Sequence, residues 1–284
     1  MKEYNNTFAN GFDHSVNIFD NPGEFGAWLE DHAPKASLKF PGNDFYSNSG
    51  WQDVKAGMVA GDATVAERAS KIMQQIDAGL PATPKRKRVV SPYGRANVGA
   101  YLASDPMPCR RVVKVKHETA PISIVASLNS MASVPARHLE ARGVVIAALV
   151  RRLVASRPVN LYLSRFSNVN GDASSCVLVK FPTAPIDSYR LAYLLSNQGF
   201  CRGAGFAFHE AKAGKQGDVY FAGDMSYSQS RHCQYARDLE TLLGHEVFYI
   251  PGSDPKQTEF KKMTSNPVAW LNETVRELTR ARED

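Results

Sequence analysis

The chain has 284 residues, of which 43% are apolar and 22% are charged. This length and composition allow one large core, or one core plus a smaller module, and they exclude a wholly disordered protein. The longest apolar run, residues 143–150, is too short to cross a bilayer, and the net charge of +6 favours an anionic partner.

The first 80 residues are predicted to form a small, mainly helical N-terminal module. An Asn-Pro pair is a helix-start signal for residues 25–29, and a second short helix over residues 51–60 ends at a glycine. Thr64 and Glu67 have the spacing of a capping box for a third helix. The aromatic residues of the module are expected either to pack its core or to offer a stacking surface; they are Phe40, Phe45, Tyr46 and Trp51.

Residues 81–119 are predicted to be a basic linker segment. Between residues 85 and 116 the chain has nine cations against one anion, Asp105, so this stretch has a net charge of +8 and the rest of the chain has −2. The cations are Lys85, Arg86, Lys87, Arg88, Arg95, Arg110, Arg111, Lys114 and Lys116. The basicity is therefore local, as a single anion-binding surface requires.

Three interpretations of this basic segment remain open. The cations could neutralise phosphates and bind nucleic acid in a salt-sensitive, weakly sequence-selective way. Tyr93 and Tyr101 inside the segment, and Trp51 before it, would then stack on bases, as in single-strand binders. Alternatively, the charges only keep a solvated linker extended, or they bind an acidic protein.

Residues 120–284 are predicted to form an α/β domain. A buried strand over residues 122–128 precedes a long helix over residues 134–155 and a hairpin of strands at 160–166 and 175–181. Helices at 186–195, 229–243 and 267–279 then alternate with strands at 219–222 and 246–250. This alternation predicts a doubly wound, mostly parallel sheet with helices on both faces, to which the hairpin adds one antiparallel edge strand.

The order of strand, helix and hairpin resembles the von Willebrand factor A fold over residues 120–284. In that family the first strand ends in Asp-x-Ser-x-Ser, which binds a divalent cation through oxygen ligands. The matching residues here are Ser127, Leu128, Asn129, Ser130 and Met131. Because Ser127 replaces the carboxylate and Met131 the last serine, this degenerate loop is predicted to hold no metal. Ser127, Asn129 and Ser130 then either satisfy the turn or contact a protein partner.

Short motifs elsewhere resemble a family of uncharacterised bacteriophage and plasmid proteins. They are the pair Trp51 and Gly61 and the sequences at residues 98–106 and 142–150. That family has no firmly assigned enzymatic activity. The resemblance implies a role like that of accessory single-stranded-DNA-binding proteins in podophages, which bring the phage RNA polymerase to promoters. We expect the cytoplasm of a bacterial host, because the four cysteines lack CxxC spacing and no apolar stretch follows the N-terminus.

Catalytic and cofactor-binding patterns are weak or missing. A Glu-x-Lys spacing is typical of metal-dependent nucleases but is expected by chance in many chains of this length. The candidate residues are Glu210 and Lys212, with Asp187, Asp218 or Asp224 as partners. The candidate zinc ligands lack zinc-site spacing; they are His209, His232, Cys233 and His245. Neither a nucleophile elbow nor a phosphate-binding loop is present. We therefore expect no enzymatic activity and no cofactor.

Together these patterns predict a phage accessory protein that binds DNA, preferably single-stranded, through its basic segment. The A-type domain would supply a docking surface for a partner such as a phage RNA polymerase. The alternatives are a protein–protein adaptor without nucleic-acid contact and, less favoured, the Mg²⁺-dependent nuclease.

Overall fold

The structure is a computed structural model in two compact units, one formed by Met1–Gly79 together with Ala120–Asp284 and the other by Leu80–Thr119. The residues that it describes are 1–7, 13–39, 49–79, 86–91, 93, 95–107, 109–114, 120–130, 133–155, 157–169, 173–213 and 237–279. Several predicted features lie outside them, namely the strand at 219–222 and the first part of the helix at 229–243. The same holds for the residues Phe40, Phe45, Tyr46, Lys85, Lys116, Met131, Asp218, Asp224, His232 and Cys233.

The secondary structure alternates between strands and helices along most of the chain. In chain order the strands are β1 (Lys2–Thr7), β2 (Asp13–Phe19), β3 (Arg86–Ser91), β4 (Arg95–Ala96), β5 (Cys109–Lys114), β6 (Ile122–Ser127), β7 (Val159–Val169), β8 (Ala173–Phe181) and β9 (Val247–Ile250). The helices are α1 (Pro22–His32), α2 (Trp51–Ala60), α3 (Ala63–Gly79), α4 (Val98–Leu102), α5 (Ala136–Val154), α6 (Ser188–Ser196), α7 (Gly205–Ala213), α8 (residues 237–243), α9 (Thr258–Ser265) and α10 (Pro267–Thr279). A π-helical segment, Gly199–Ala204, leads into α7.

The larger unit is built on a six-stranded mixed sheet in the order β1-β2-β8-β7-β6-β9. Three of its five neighbouring pairs are parallel, namely β2–β8, β7–β6 and β6–β9, and the other two are antiparallel. The α/β class, the mostly parallel sheet, the hairpin and the flanking helices are therefore confirmed. Strand β6 lies between β7 and β9 and is buried at all six positions, as its continuous apolar run predicted.

Two predictions about the arrangement of this sheet are wrong. The hairpin strand β8 is not at an edge, because its other side pairs with β2 in parallel, for example Val16 opposite Cys176. Residues 1–80 are not a separate helical module either, because β1 and β2 complete the sheet of the larger unit. Strand β1, Lys-Glu-Tyr-Asn-Asn-Thr, carries no apolar alternation that would have indicated a strand.

Apolar side chains from both ends of the chain share the core of the larger unit. One face of the sheet packs against Leu239 of α8 in a cluster of Val16, Val125, Tyr162, Phe166, Cys176, Leu178, Leu239 and Val247. The π-helical segment and α7 cover the opposite face, where Arg165 of β7 donates to the carbonyl of Cys201. None of the helices in the described ranges has the length and hydropathy of a membrane span.

Helix ends follow the local sequence signals in most cases. The side chain of Asn21 accepts from the backbone N–H of Glu24 at 2.9 Å and begins α1, as predicted. Gly61, with φ of 73°, ends α2 in a conformation that favours glycine. The predicted capping box of α3 is wrong, because Asp62 accepts from the N–H groups of Thr64 and Val65 at 2.7 and 3.0 Å.

The unit Leu80–Thr119 is an antiparallel three-stranded sheet in the order β3-β5-β4, with α4 between β4 and β5. The basic linker segment predicted for residues 81–119 is therefore a folded unit with its own sheet, and the predicted boundaries agree with that unit. Cations interrupt the apolar residues of β3 and β5, so neither strand has the apolar–polar alternation from which a strand is usually predicted.

Candidate nucleic-acid interface

The register of the small sheet places most of its cations on one face. Residues directly opposite in antiparallel strands share a face, and residues two apart on one strand return to it. Arg86 is opposite Lys114, Arg88 is opposite Val112, and position 110 of β5 is opposite both Val90 and Arg95. The face so defined, the cationic face, contains Arg86, Arg88, Arg95, Arg110 and Lys114.

The opposite face of the small sheet is less basic. The register brings Lys87 opposite Val113, Val89 opposite Arg111, and Cys109 opposite Ser91 and Ala96. That face therefore has two cations against five on the cationic face. Seven of the nine predicted cations lie in this sheet, and the small unit brings together residues that the sequence separates by more than twenty positions.

The two tyrosines of the basic segment are exposed, whereas the tryptophan before it is not. Tyr93, in the connection between β3 and β4, is 76% exposed, and Tyr101 in α4 is 69% exposed. Trp51 is 8% exposed and donates from Nε1 to Glu30 at 3.3 Å. The prediction that Trp51 belongs to a stacking surface is therefore wrong, since its ring is part of the core.

The degenerate loop after β6 is held by protein groups. The side chain of Asn129 donates to the carbonyl of Phe166 at 3.1 Å and accepts from the N–H of the same residue at 3.2 Å. Ser127 Oγ accepts from the N–H of Asn129 at 3.2 Å. Ser130 forms an isolated parallel bridge with Ser253, so the loop connects the carboxyl ends of β6, β7 and β9.

A buried arginine supplies the positive charge beside this loop. Arg142 of α5 is 1% exposed, and its Nη2 donates to the carbonyls of Ser127 at 3.0 Å and Pro251 at 2.6 Å. A divalent cation needs acceptor oxygens and a carboxylate, whereas here Asn129 is engaged with β7 and a guanidinium lies against the backbone of Ser127. The residues present do not fit a divalent cation.

The described residues of the candidate nuclease site lie in the larger unit, where Asp187 caps a helix and Lys212 forms an ion pair. Asp187 accepts from the N–H of Arg190 at 2.9 Å and begins α6, and Lys212 pairs with Glu3 at 2.7 Å. Glu210 lies on α7 and is half-buried. Within the described ranges, no three His, Cys, Asp or Glu side chains lie close enough together to hold a metal ion.

His209, His245 and the Cys201 thiol have structural surroundings within the larger unit. His209 is fully buried with Nδ1 2.5 Å from Ser175 Oγ, and burial, with Arg165 nearby, lowers the pKa of His209 well below its usual value. His245 Nε2 lies 2.5 Å from Ser123 Oγ. Burial raises the pKa of the Cys201 thiol to about 11, which makes it a poor nucleophile.

The fold and the candidate site define a class of protein: a mixed-sheet α/β unit combined with a small antiparallel sheet that has a cationic face. The chain belongs to the family described as "Domain of unknown function (DUF7192)", which it matches over residues 4–282. No curated protein and no solved structure matches the chain significantly.

Proposed function

We propose that this protein is a non-enzymatic accessory protein that binds single-stranded DNA through Leu80–Thr119. The observation that carries the proposal is the cationic face, on which the backbone register collects Arg86, Arg88, Arg95, Arg110 and Lys114. A row of cations on one side of a sheet matches a phosphate backbone, and exposed tyrosines in the same unit match unpaired bases.

The number of cations on this face sets the expected salt dependence. For single strands the logarithm of affinity falls with the logarithm of salt with a slope of about −0.7 per neutralised phosphate. Five contacts give a slope of about −3.5, so a fourfold rise in salt lowers affinity by about 100-fold. Binding without this slope would not be phosphate binding by the cationic face.

The larger unit would bind a protein partner, for which a phage RNA polymerase is our candidate. This part of the proposal is supported by the order of strand, helix and hairpin in the larger unit, which resembles that of von Willebrand factor A domains. We propose that the larger unit is a domain of that type. The loop at Ser127, Asn129 and Ser130 would act without a divalent cation, because Arg142 already contributes positive charge there. Association with a phage polymerase in pull-down tests this part independently of DNA.

A matched pair of variants tests the DNA-binding part. Arg88→Ser/Arg110→Ser removes two cations from the cationic face, and Lys87→Ser/Arg111→Ser removes two from the other face of the same two strands. We expect the first variant to reduce the salt slope for a fluorescein-labelled oligothymidylate by about 1.4, and the second to leave it nearly unchanged. Anisotropy titrations at several salt concentrations measure both slopes.

Two outcomes would overturn the proposal. If the wild-type protein does not bind the oligonucleotide even at low salt, the role is wrong. If both double variants reduce the salt slope by the same amount, the cationic face is not the binding surface. The second candidate function is a protein–protein adaptor, and the exposed apolar residues of α4 favour it. An adaptor would capture a protein partner but would show no salt-sensitive DNA binding.

A further inference from the structure

Helix α4 presents apolar side chains to solvent. Val98, Tyr101 and Leu102 are 67, 69 and 77% exposed, and none of the five residues of α4 is buried. Their spacing of three and four residues places them on one side of a helical turn. We refer to these three side chains as the α4 knob. Because these side chains are mostly exposed, they add little burial energy to the folded chain, so folding alone does not explain an apolar cluster here.

The backbone beneath the α4 knob is held in one conformation. The N–H groups of Ala103, Ser104 and Asp105 donate to the carbonyls of Gly99, Tyr101 and Ala100 at 3.1, 3.1 and 3.0 Å. Ser104 adopts a φ of 57°, the left-handed conformation that ends the helix. Asp105 Oδ1 then accepts from the N–H of Met107 at 2.8 Å. A knob on such a hydrogen-bonded turn is preorganised and loses little entropy on binding.

The charge around the α4 knob selects its partner. The stretch from residue 85 to residue 116 has nine cations and one anion, so the partner must be strongly anionic and also offer apolar faces. Unpaired bases on a phosphate backbone have both properties, whereas bases in a duplex are already stacked on one another. Only Asn97 separates α4 from β4, whose Arg95 is on the cationic face, so phosphate and base contacts would be adjacent along the chain.

We propose that the α4 knob binds unpaired bases, with Tyr101 stacking on a base and Leu102 and Val98 packing at its edges, and that it gives the protein its preference for single strands. This inference rests on the proposed function, in which the cationic face supplies phosphate contacts that duplex and single strand share. An anionic membrane surface also combines charge with apolar groups, but peripheral membrane helices use a long amphipathic face, whereas α4 has five residues.

Three variants separate base contact from phosphate contact. Tyr101→Ala should lower affinity for a single strand about 5- to 150-fold, the range seen when one stacking ring is removed, while Tyr101→Phe should retain wild-type affinity because the ring remains. Leu102→Ala should have a smaller effect in the same direction. Tyr189→Ala is the matched control, because Tyr189 is 43% exposed in the other unit and should be neutral.

The assay compares a single strand containing 2-aminopurine with the duplex of the same sequence. We expect the wild-type protein to prefer the single strand and to change the 2-aminopurine fluorescence on binding. Because Tyr93 stays exposed in the same unit, Tyr101→Ala should lose most of the strand preference and most of the fluorescence change while keeping the wild-type salt slope. Equal thermal midpoints for the variants and the wild type show that the substitutions leave folding intact.

The outcomes distinguish this inference from the proposed function. If the wild-type protein binds DNA and Tyr101→Ala matches it in affinity and strand preference, the α4 knob is not a base-binding element, while the cationic face stands. If the wild-type protein binds no DNA, both proposals are overturned. Knob-dependent binding to phosphatidylserine vesicles in the absence of DNA binding would also overturn both, in favour of a membrane surface.

Discussion

Replacement of Arg142 by Met tests whether the guanidinium holds the carboxyl ends of β6 and β9 together. Arg142 donates to the carbonyls of Ser127 and Pro251, and methionine keeps most of the buried stem but removes both hydrogen bonds. A hydrogen bond from a charged donor contributes about 1.5–3 kcal/mol, and the two carbonyls stay buried without this donor. Relief from burying a charge offsets part of that loss. We expect the free energy of unfolding to fall by about 3–5 kcal/mol.

Urea denaturation followed by tryptophan fluorescence measures this loss. The matched control is Arg137→Met, the same substitution at an exposed position of the same helix, which should change stability by less than about 0.5 kcal/mol. Hydrogen exchange adds a local measurement, since the N–H of Ser253, which donates to Asn129, should exchange faster in Arg142→Met. A loss below about 1 kcal/mol with unchanged exchange would refute the assignment of Arg142 as a tie between the strand ends.

Three further predictions concern other buried contacts. The pKa of His209 is lowered in the folded protein, so on acidification the unfolded chain takes up a proton first. The free energy of unfolding should therefore fall by up to about 1.4 kcal/mol per pH unit below about pH 6.5. Urea titrations of His209→Gln should lack this component. Gly57→Ala should lower the thermal midpoint, since its methyl group would lie 2.2 Å from the Tyr193 ring, at a cost of about 1–3 kcal/mol; Gly99→Ala, with no contact under 3.8 Å, should not. Mg²⁺ should leave the thermal midpoint of the wild-type protein unchanged, and an increase would contradict our account of the Asn129 loop.

The parts of the fold that were predicted from the sequence are those with strong periodicity and clear end signals. Helices α2 and α10 have their predicted bounds, and the buried run at β6 and the hairpin of β7 and β8 were found within a few residues. Strand β2 was missed because it pairs with β8, more than 150 residues away in the chain, and β1 was missed with it because its partner in the described sheet is β2. A strand fixed by a distant neighbour leaves little pattern in its own sequence.

The sequence predicted the positive charge of the candidate site but not the face of the small sheet on which the charge is concentrated. Nine cations were identified by counting, but the division of the seven in the small sheet between its two faces depends on the register of β5 against β3 and β4, which no local sequence pattern indicates. The exposure of Val98 and Leu102 was equally hidden, because apolar residues at helical spacing usually predict a buried face. Arg142 was missed for the opposite reason, since arginine in a helix is normally a surface residue.

The two units use positive charge in different ways. In the larger unit Arg142, Arg157 and Arg165 are buried and donate to backbone carbonyls, so part of its positive charge stabilises the fold and is not offered to a ligand. Outside residues 85–116 the chain has a net charge of −2, which opposes retention of a polyanion. In the function that we propose, a nucleic acid is therefore attracted to the small sheet, and a protein partner binds the larger unit without competing for the same charges.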